Sequence, residues 1–199
     1  MINFKFLEVT NEKLLTRVFS FRYKIFKEIY PMYMQESGFS DEKEYDKYDA
    51  YAVHFVALNE KGEVCATVRL IYHSPIGYPT ENNTKFDNSM FERNKVGEMS
   101  RIFVDKKYRS MKTTKIIIEA VKRYMYVKMI HEGIEYTYGY LEKSFLRLLR
   151  IYKMPYHPIG KIQKHKNFGL RYPCILYTQE LGNENPQLIK LWEQSRKIQ

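Results

Sequence analysis

The sequence predicts a mixed α/β domain, a central and largely antiparallel sheet flanked by helices. Three observations lead there. Apolar residues recur at helical spacing over 10–30, 113–129 and 143–154. Short β-rich runs lie between turn residues at 50–58, 64–72, 96–104, 134–141 and 172–181. The first two of these runs are separated by "NEKGE", the signature of an antiparallel hairpin. Strand-rich segments joined by helices place helices on both faces of one sheet.

In chain order, Thr10 or Asn11 is a candidate cap for a first helix that runs to about Tyr30, where Pro31 stops it. Leu14 or Leu15, Val18, Phe19, Ile25, Phe26 and Ile29 form its apolar stripe, and Arg22 interrupts it between Val18 and Phe26. An arginine there must snorkel or pair with an anion. Residues 31–49 are polar, acidic and aromatic without a clear period, which suits a lid or binding loop with a short helical turn. In the second hairpin strand Cys65, Thr67, Arg69 and Ile71 share one face. Residues 73–95 read as an extended connection, followed by the strand "VGEMSRIFV" (96–104). A helix over 113–129 buries Ile116, Ile117, Ala120, Val121, Tyr124 and Val127. A strand at 134–141, a helix at 143–154, a short strand or turn at "PYHPIG", a closing strand at 172–181 and a terminal helix complete the chain. One domain over 1–181 with a tail or short helix over 182–199 is expected.

The net charge of +10 favours an anionic partner, but the basic residues are scattered, with clusters at "DKKYRSMKTTK" and "GKIQKHKNFGLR". Base-stacking aromatics along a basic stripe are not evident, so nucleic acid is not expected as a partner. Cys65 and Cys174 lie far apart in apolar runs and read as buried thiols. No zinc spacing is present, and no metal is expected. Without a signal-like or membrane-length apolar run, the expectation is a cytoplasmic monomer.

The chemistry concentrates in "VGEMSRIFV". Alternation puts Glu98 and Ser100 on one face and Arg101 on the other. A bulge near Met99 or Ser100 would bring Glu98 and Arg101 to one cleft. Arg22, Arg69 and Arg101 find candidate partners in Asp46, Asp49 and Glu98. Two readings are open for this set: a structural ion-pair cluster, or the floor of a substrate site. Asp46 and Asp49 also suit turn capping at the strand mouth. Glu98 is the best candidate base, provided burial raises its pKa. The junction after this strand offers helix N–H groups beside Lys106, Lys107, Arg109 and Lys112, suited to a phosphate, although no glycine-rich phosphate loop is present.

Taken together, "RYKIFKE" (22–28), "YDKYDAYAVHFVAL" (45–58), "GEVCATVRLI" (62–71) and "GEMSRIFV" (97–104) resemble the acyl-homoserine-lactone synthases, part of the wider GCN5-related N-acetyltransferase (GNAT)-like, or acyl-CoA N-acyltransferase, fold. The resemblance implies an active cleft lined by Arg22, Phe26, Asp46, Asp49, Arg69, Glu98 and Arg101. The second half, "GYLEKSFLRLLRIYKMPYHPIG" (139–160) and "HKNFGLRYPCILY" (165–177), is more similar to a sister branch of long-chain N-acyl amino acid synthases and exosortase-associated acyltransferases. The tryptophan common near the lactone synthases' cofactor pocket is missing from 29–40, and the single tryptophan is Trp192.

The resemblance therefore implies an N-acyltransferase. It would move a fatty acyl group from an acyl-carrier-protein or coenzyme A thioester to a small amine such as an amino acid, with no tightly bound cofactor. Glu98, Ser100 and Arg101 form the implied catalytic strand set. Arg22, Asp46, Asp49 and Arg69 organise the acceptor site. Phe26, Phe103 and Tyr140 line an acyl tunnel or are plain core. The resemblance further implies an oxyanion N–H near Ile102 or Phe103 and a donor phosphate held by Lys106, Arg109, Lys112 and Thr113. The competing readings are a lactone synthase consuming S-adenosylmethionine and a non-enzymatic carrier- or nucleic-acid-binding module.

Overall fold

The computed structural model describes residues 3–37, 39 and 41–196. The chain opens on β1 (Lys5–Glu8), a strand without a sequence signal of its own, which pairs with β2 and closes one sheet edge. Helix α1 (Glu12–Ile29) starts at Asn11, whose side chain accepts the Leu14 N–H. Ile29, expected on the apolar stripe, is 41 % exposed, and Phe21 is buried instead. The segment after Pro31 holds a helix, α2 (Pro31–Ser37), where only a turn was expected.

Strands β2 (Ala52–Leu58) and β3 (Val64–Tyr72) form the anticipated antiparallel hairpin. The connection after β3 is not simply extended, because it carries α3 (Pro79–Asn83). Next come β4 (Val96–Val104), α4 (Met111–His131), β5 (Tyr136–Leu141), α5 (Lys143–Ile151), β6 (His157–Pro158), β7 (Gln163–His165) and β8 (Gly169–Tyr177). The closing strand ends at Tyr177 because Thr178 begins a helix, α6 (Thr178–Glu184), followed by α7 (Pro186–Arg196).

The sheet order is β1-β2-β3-β4-β5-β8-β6, with β7 pairing outside that path on β8. Among the described residues β4 and β5 make the parallel pair, and α4 is the crossover such a pair requires. That pairing is short: Val96, Gly97 and Glu98 face Tyr136, Thr137 and Tyr138, and beyond Glu98 the two strands part. Burial follows the split, since β4 is buried from Val96 to Met99 and half-buried from Ser100 to Val104.

One layer of core lies between the sheet and α4, around Leu70, Met99, Ile117, Met125 and Met129. The buried face of α4 differs from the expected one. Ile116 is 38 % exposed, while Ile118, Met125, Tyr126 and Met129 are buried. The reason is that α4 is covered by the sheet and also by α6 and α7, which broadens its buried face. The stretch expected as a tail or short helix contributes fully buried Leu188 to this core.

Lys122 sits inside that layer with 1 % exposure. Its ammonium donates to Tyr152 O and Asn185 Oδ1, each at 2.8 Å, and pairs with Glu119 at 2.8 Å. It thereby ties α4 to the end of α5 and to the α6–α7 corner. Replacing Lys122 with Met leaves the buried Asn185 Oδ1 and the half-buried Tyr152 carbonyl unpaired. The expected cost is about 2–4 kcal/mol, read as a fall in Tm of roughly 5–10 °C in a thermal melt.

Candidate active site

The site is built on the β4 strand and the segment before β2. On β3 and β4, Arg69 lies opposite Ser100 and Ile71 opposite Glu98, so Arg69, Ser100 and Glu98 share the α1 face of the sheet. Thr67 lies opposite Phe103, so Arg101 and Ile102 together face Val68. This is a bulge, with Arg101 in the left-handed region at φ 52°. The extra residue re-aims Arg101 onto the face that alternation denied it. The bulge thus occurs one residue beyond the expected position. A left-handed arginine costs on the order of 1–2 kcal/mol. Its hydrogen bonds to Glu44 (2.7 and 3.1 Å) and Asp46 (2.8 Å), together with its stacking 4.9 Å over the Phe26 ring, hold it there.

Three arginines and three carboxylates do form one network, but the membership differs from expectation. Glu44 takes the place assigned to Glu98. Arg22 donates through Nε to Glu44 at 2.5 Å and through Nη1 and Nη2 to Asp49 at 2.7 and 3.1 Å. Arg69 donates to Ser100 Oγ at 2.9 Å and to Asp46 at 2.7 and 3.2 Å, and lies 2.9 Å from Asp49. The forks are bidentate, which fixes orientation as well as charge. Asp46 and Asp49 also cap their own turn: the Asp46 N–H donates to Asp49 and the Tyr48 N–H to Asp46. Both sequence readings of these aspartates therefore hold at once.

In the sequence Glu44 is one acid among several in the 31–49 stretch. Glu44 and Asp46 both accept from Arg101 and so lie on the same side of their segment. The Glu44 N–H donates to Phe19 O, docking the segment onto α1.

Burial pulls the carboxylates upward in pKa, but the guanidiniums outweigh it. Arg101 and Arg22 hold Glu44 down, Arg101 and Arg69 hold Asp46 down, and Arg69 and Arg22 hold Asp49 well below the usual range. Three positive and three negative charges leave the cluster near neutral. Arg22 and Arg69 have fully buried side chains and hold the network together from inside. Asp46, with 22 % of its side chain exposed, and Arg101, with 14 %, are the members that meet solvent. His54 lies opposite Arg69, and burial lowers its pKa to about 4, which makes it a neutral core histidine.

Glu98 stands apart from this cluster. It is 2 % exposed, and its carboxylate accepts the Thr80 N–H at 2.8 Å. Among the described residues it makes no ion pair, so the expected pairing of Glu98 with Arg101 is corrected: they share a face but not a contact. The physical reason is that Glu44 and Asp46 saturate the near side of Arg101. Burial pushes Glu98 up to about 7, against the lowering effect of the Thr80 N–H and Arg69. Glu98 is also the last β4 residue paired to β5, so its carboxylate sits where the two strands fork.

An aromatic arch bridges the fork on the same face. From β4, Phe103 meets Phe26 of α1 at 5.1 Å between ring centroids. Phe26 meets Phe168 at 6.2 Å, Phe168 stacks on His165 at 4.5 Å, and His165 meets Tyr140 of β5 at 5.9 Å. Three arch members were expected at a tunnel wall; His165 and Phe168 were not, because nothing marked the β7–β8 hairpin as crossing the cleft. The Tyr140 hydroxyl is buried without a hydrogen-bond partner among the described residues.

The residues expected at the donor's phosphate gather where β4 runs into α4. Lys106 pairs with Glu28 at 3.3 Å, Arg109 donates to Val104 O at 2.9 Å, and Lys112 is exposed. The Thr113 N–H already donates to the Ser110 cap at 3.2 Å. Ile102 is half-buried in the part of β4 beyond its pairing with β5.

Residues 21–119 match the family model described as "Acetyltransferase (GNAT) domain". The chain carries a GNAT acyltransferase domain. Acyl transfer of the GNAT type is its activity class, and the matched stretch includes β4 but not β5. Solved structures agree on the GNAT fold. A CoA-dependent acyl-homoserine lactone synthase, BjaI, solved with SAM and isopentyl-CoA, is similar over 94 % of this chain and 90 % of its own, with a TM-score of 0.71 and 18 % identity. FeeM, an N-acyl amino acid synthase from uncultured soil microbes, is similar over 92 % and 95 %, with a TM-score of 0.66 and 12 % identity. The acyl-homoserine lactone synthase LasI is similar over 88 % of each chain, with a TM-score of 0.59 and 18 % identity. No curated protein matches the sequence. Among the described residues no helix of the GNAT chain is long and apolar enough to cross a membrane, and no cluster suits a metal ion.

Proposed function

We propose that this GNAT protein transfers a fatty acyl group from a thioester to the amine of a small acceptor, an amino acid, with Glu98 as proton acceptor. The observation that carries the reading is Glu98 itself: a buried carboxylate outside any ion pair among the described residues, at the apex of the β4–β5 fork, with a pKa near 7. A base poised there is half-ionised at neutral pH. The charge-balanced network beside it gives a rigid wall and does not quench the base.

In this reading the acyl chain lies in the fork beneath the aromatic arch. The acceptor's ammonium first gives one proton to solvent. The neutral amine then attacks the thioester carbonyl, and its remaining excess proton passes to Glu98 directly or through water as the C–N bond forms. A β4 backbone N–H at Ile102 or Phe103 stabilises the oxyanion. The C–S bond breaks, and the departing thiolate takes up a proton. Asp46 and Arg101, the exposed edge of the network, suit the two charged groups of an amino acid. The basic junction of Lys106, Lys107, Arg109 and Lys112 suits the phosphate of a pantetheine arm, or the acidic surface of an acyl carrier protein.

The similarity to BjaI keeps a lactone-forming reading as the alternative. One assay separates the two: thiol release from acyl-CoA and from acyl-carrier thioesters, run with an amino-acid pool and with S-adenosylmethionine. Amine-dependent thiol release without methylthioadenosine is expected. Methylthioadenosine released in step with thiol would replace the amino acid with S-adenosylmethionine as acceptor.

A further inference from the structure

The arch over the fork has two kinds of members. Phe103 and Tyr140 belong to the splayed strands, and Phe26 is a core residue of α1 with 2 % exposure. Phe168 and His165 instead come from the β7–β8 hairpin, whose β7 lies off the main path of the sheet, and both are half-buried. Phe168 is the hub of this roof. Beyond Phe26 and His165 it meets Tyr30 at 5.0 Å and Tyr33 at 5.2 Å. The hairpin turns immediately after it at Gly169, which adopts φ 75°.

The roof is also fastened. Arg171 donates through Nε to Phe168 O at 3.0 Å and through Nη2 to the Tyr30 hydroxyl at 2.9 Å, and lies 5.9 Å over the Phe168 ring. One side chain thus clamps the hairpin backbone, the Phe168 ring and the end of α1 together.

We infer that Phe168 determines which acyl groups the cleft accepts, passing linear unbranched chains and rejecting branched or aryl ones. This rests on the reading above, that the acyl chain occupies the fork. A roof of close-spaced aromatic faces offers dispersion contact to a slender alkyl chain. Because the hairpin is latched to α1, the roof does not yield to a wider group without losing the Arg171 bonds. Phe168 itself carries no side-chain polar atom for chemistry, so its effect is steric.

The test compares wild-type protein with Phe168→Ala and Phe168→Leu. The donors are octanoyl-CoA and a phenyl-substituted acyl-CoA of equal carbon number, with the mixed amino-acid pool as acceptor. Phe168→Ala is expected to raise kcat/KM for the aryl donor relative to octanoyl-CoA by about ten-fold or more, with Phe168→Leu in between. A ratio unchanged in both variants, with wild-type melting temperature, overturns the assignment and leaves the acyltransferase reading intact. No thiol release by the wild-type protein from these donors or from the corresponding acyl-carrier thioesters overturns that reading, and the assignment with it.

Discussion

Glu98→Gln is expected to lower acyl transfer by about 10²–10⁴-fold while the protein stays folded. The substituted amide keeps an acceptor for the Thr80 N–H but cannot take a proton from the incoming amine. The same substitution is expected to stabilise the protein at neutral and alkaline pH, and the sign follows from the pKa. The folded-state value of about 7 lies above the reference value of 4.5. The folded protein therefore holds a proton that the unfolded chain has lost, and the Glu98 contribution, fully present below pH 4.5, disappears as pH rises through about 7. The variant's advantage should grow across that window to at most about 3 kcal/mol. Denaturant melts at pH 5 and pH 8 measure it. Equal activity in variant and wild type would remove Glu98 from the chemistry. A variant less stable at every pH would make Glu98 a structural group.

Glu44→Ala should produce the largest loss of stability. Glu44 is fully buried and receives Arg22 and Arg101 together, so its removal leaves Arg22 Nε buried without its acceptor and leaves Asp49 and Asp46 as the remaining partners of the two arginines. Breaking a buried ion pair from one side costs about 3–5 kcal/mol. Over a chain of 199 residues this corresponds to a fall in Tm of roughly 10 °C. Activity should fall too, because Arg101 loses one of the partners that hold its left-handed backbone. The depressed pKa values of Glu44, Asp46 and Asp49 have the opposite linkage to Glu98: their stabilisation is present above the ordinary carboxylate range and is lost as pH falls through their lowered values. A Glu44→Ala protein as stable as wild type would show that the cluster contributes nothing to the fold.

Much of the site was legible from local rules. An arginine on the apolar stripe of α1 had to find an anion, and Arg22 did. Two aspartates three apart before a strand read as turn caps or ion-pair partners, and they are both. The Glu98–Arg101 conflict was legible as a conflict: alternation separated them, and a bulge was the one local device able to bring them to one face.

What escaped was non-local. Glu44 looked like one acid among several in an acidic stretch, and only the docking of that stretch against Phe19 singles it out. Phe168 and His165 sit in a basic, unpatterned hairpin, and their place over the fork depends on β8 pairing with β5 from the far side of the sheet. The edge strand β1 has four residues, too few for a periodic signal. The α4 face was misjudged because its second cover, α6 and α7, comes from the end of the chain.

The most direct measurement is mass spectrometry of the products formed when purified protein receives acyl-CoA and acyl-carrier thioesters together with a pool of amino acids. The expected result is an N-acyl amino acid carrying the donor's chain, formed by the wild type and reduced by at least about a hundred-fold in Glu98→Gln. Thioester consumed without any amide product, or the same amide formed equally by Glu98→Gln, would contradict the account.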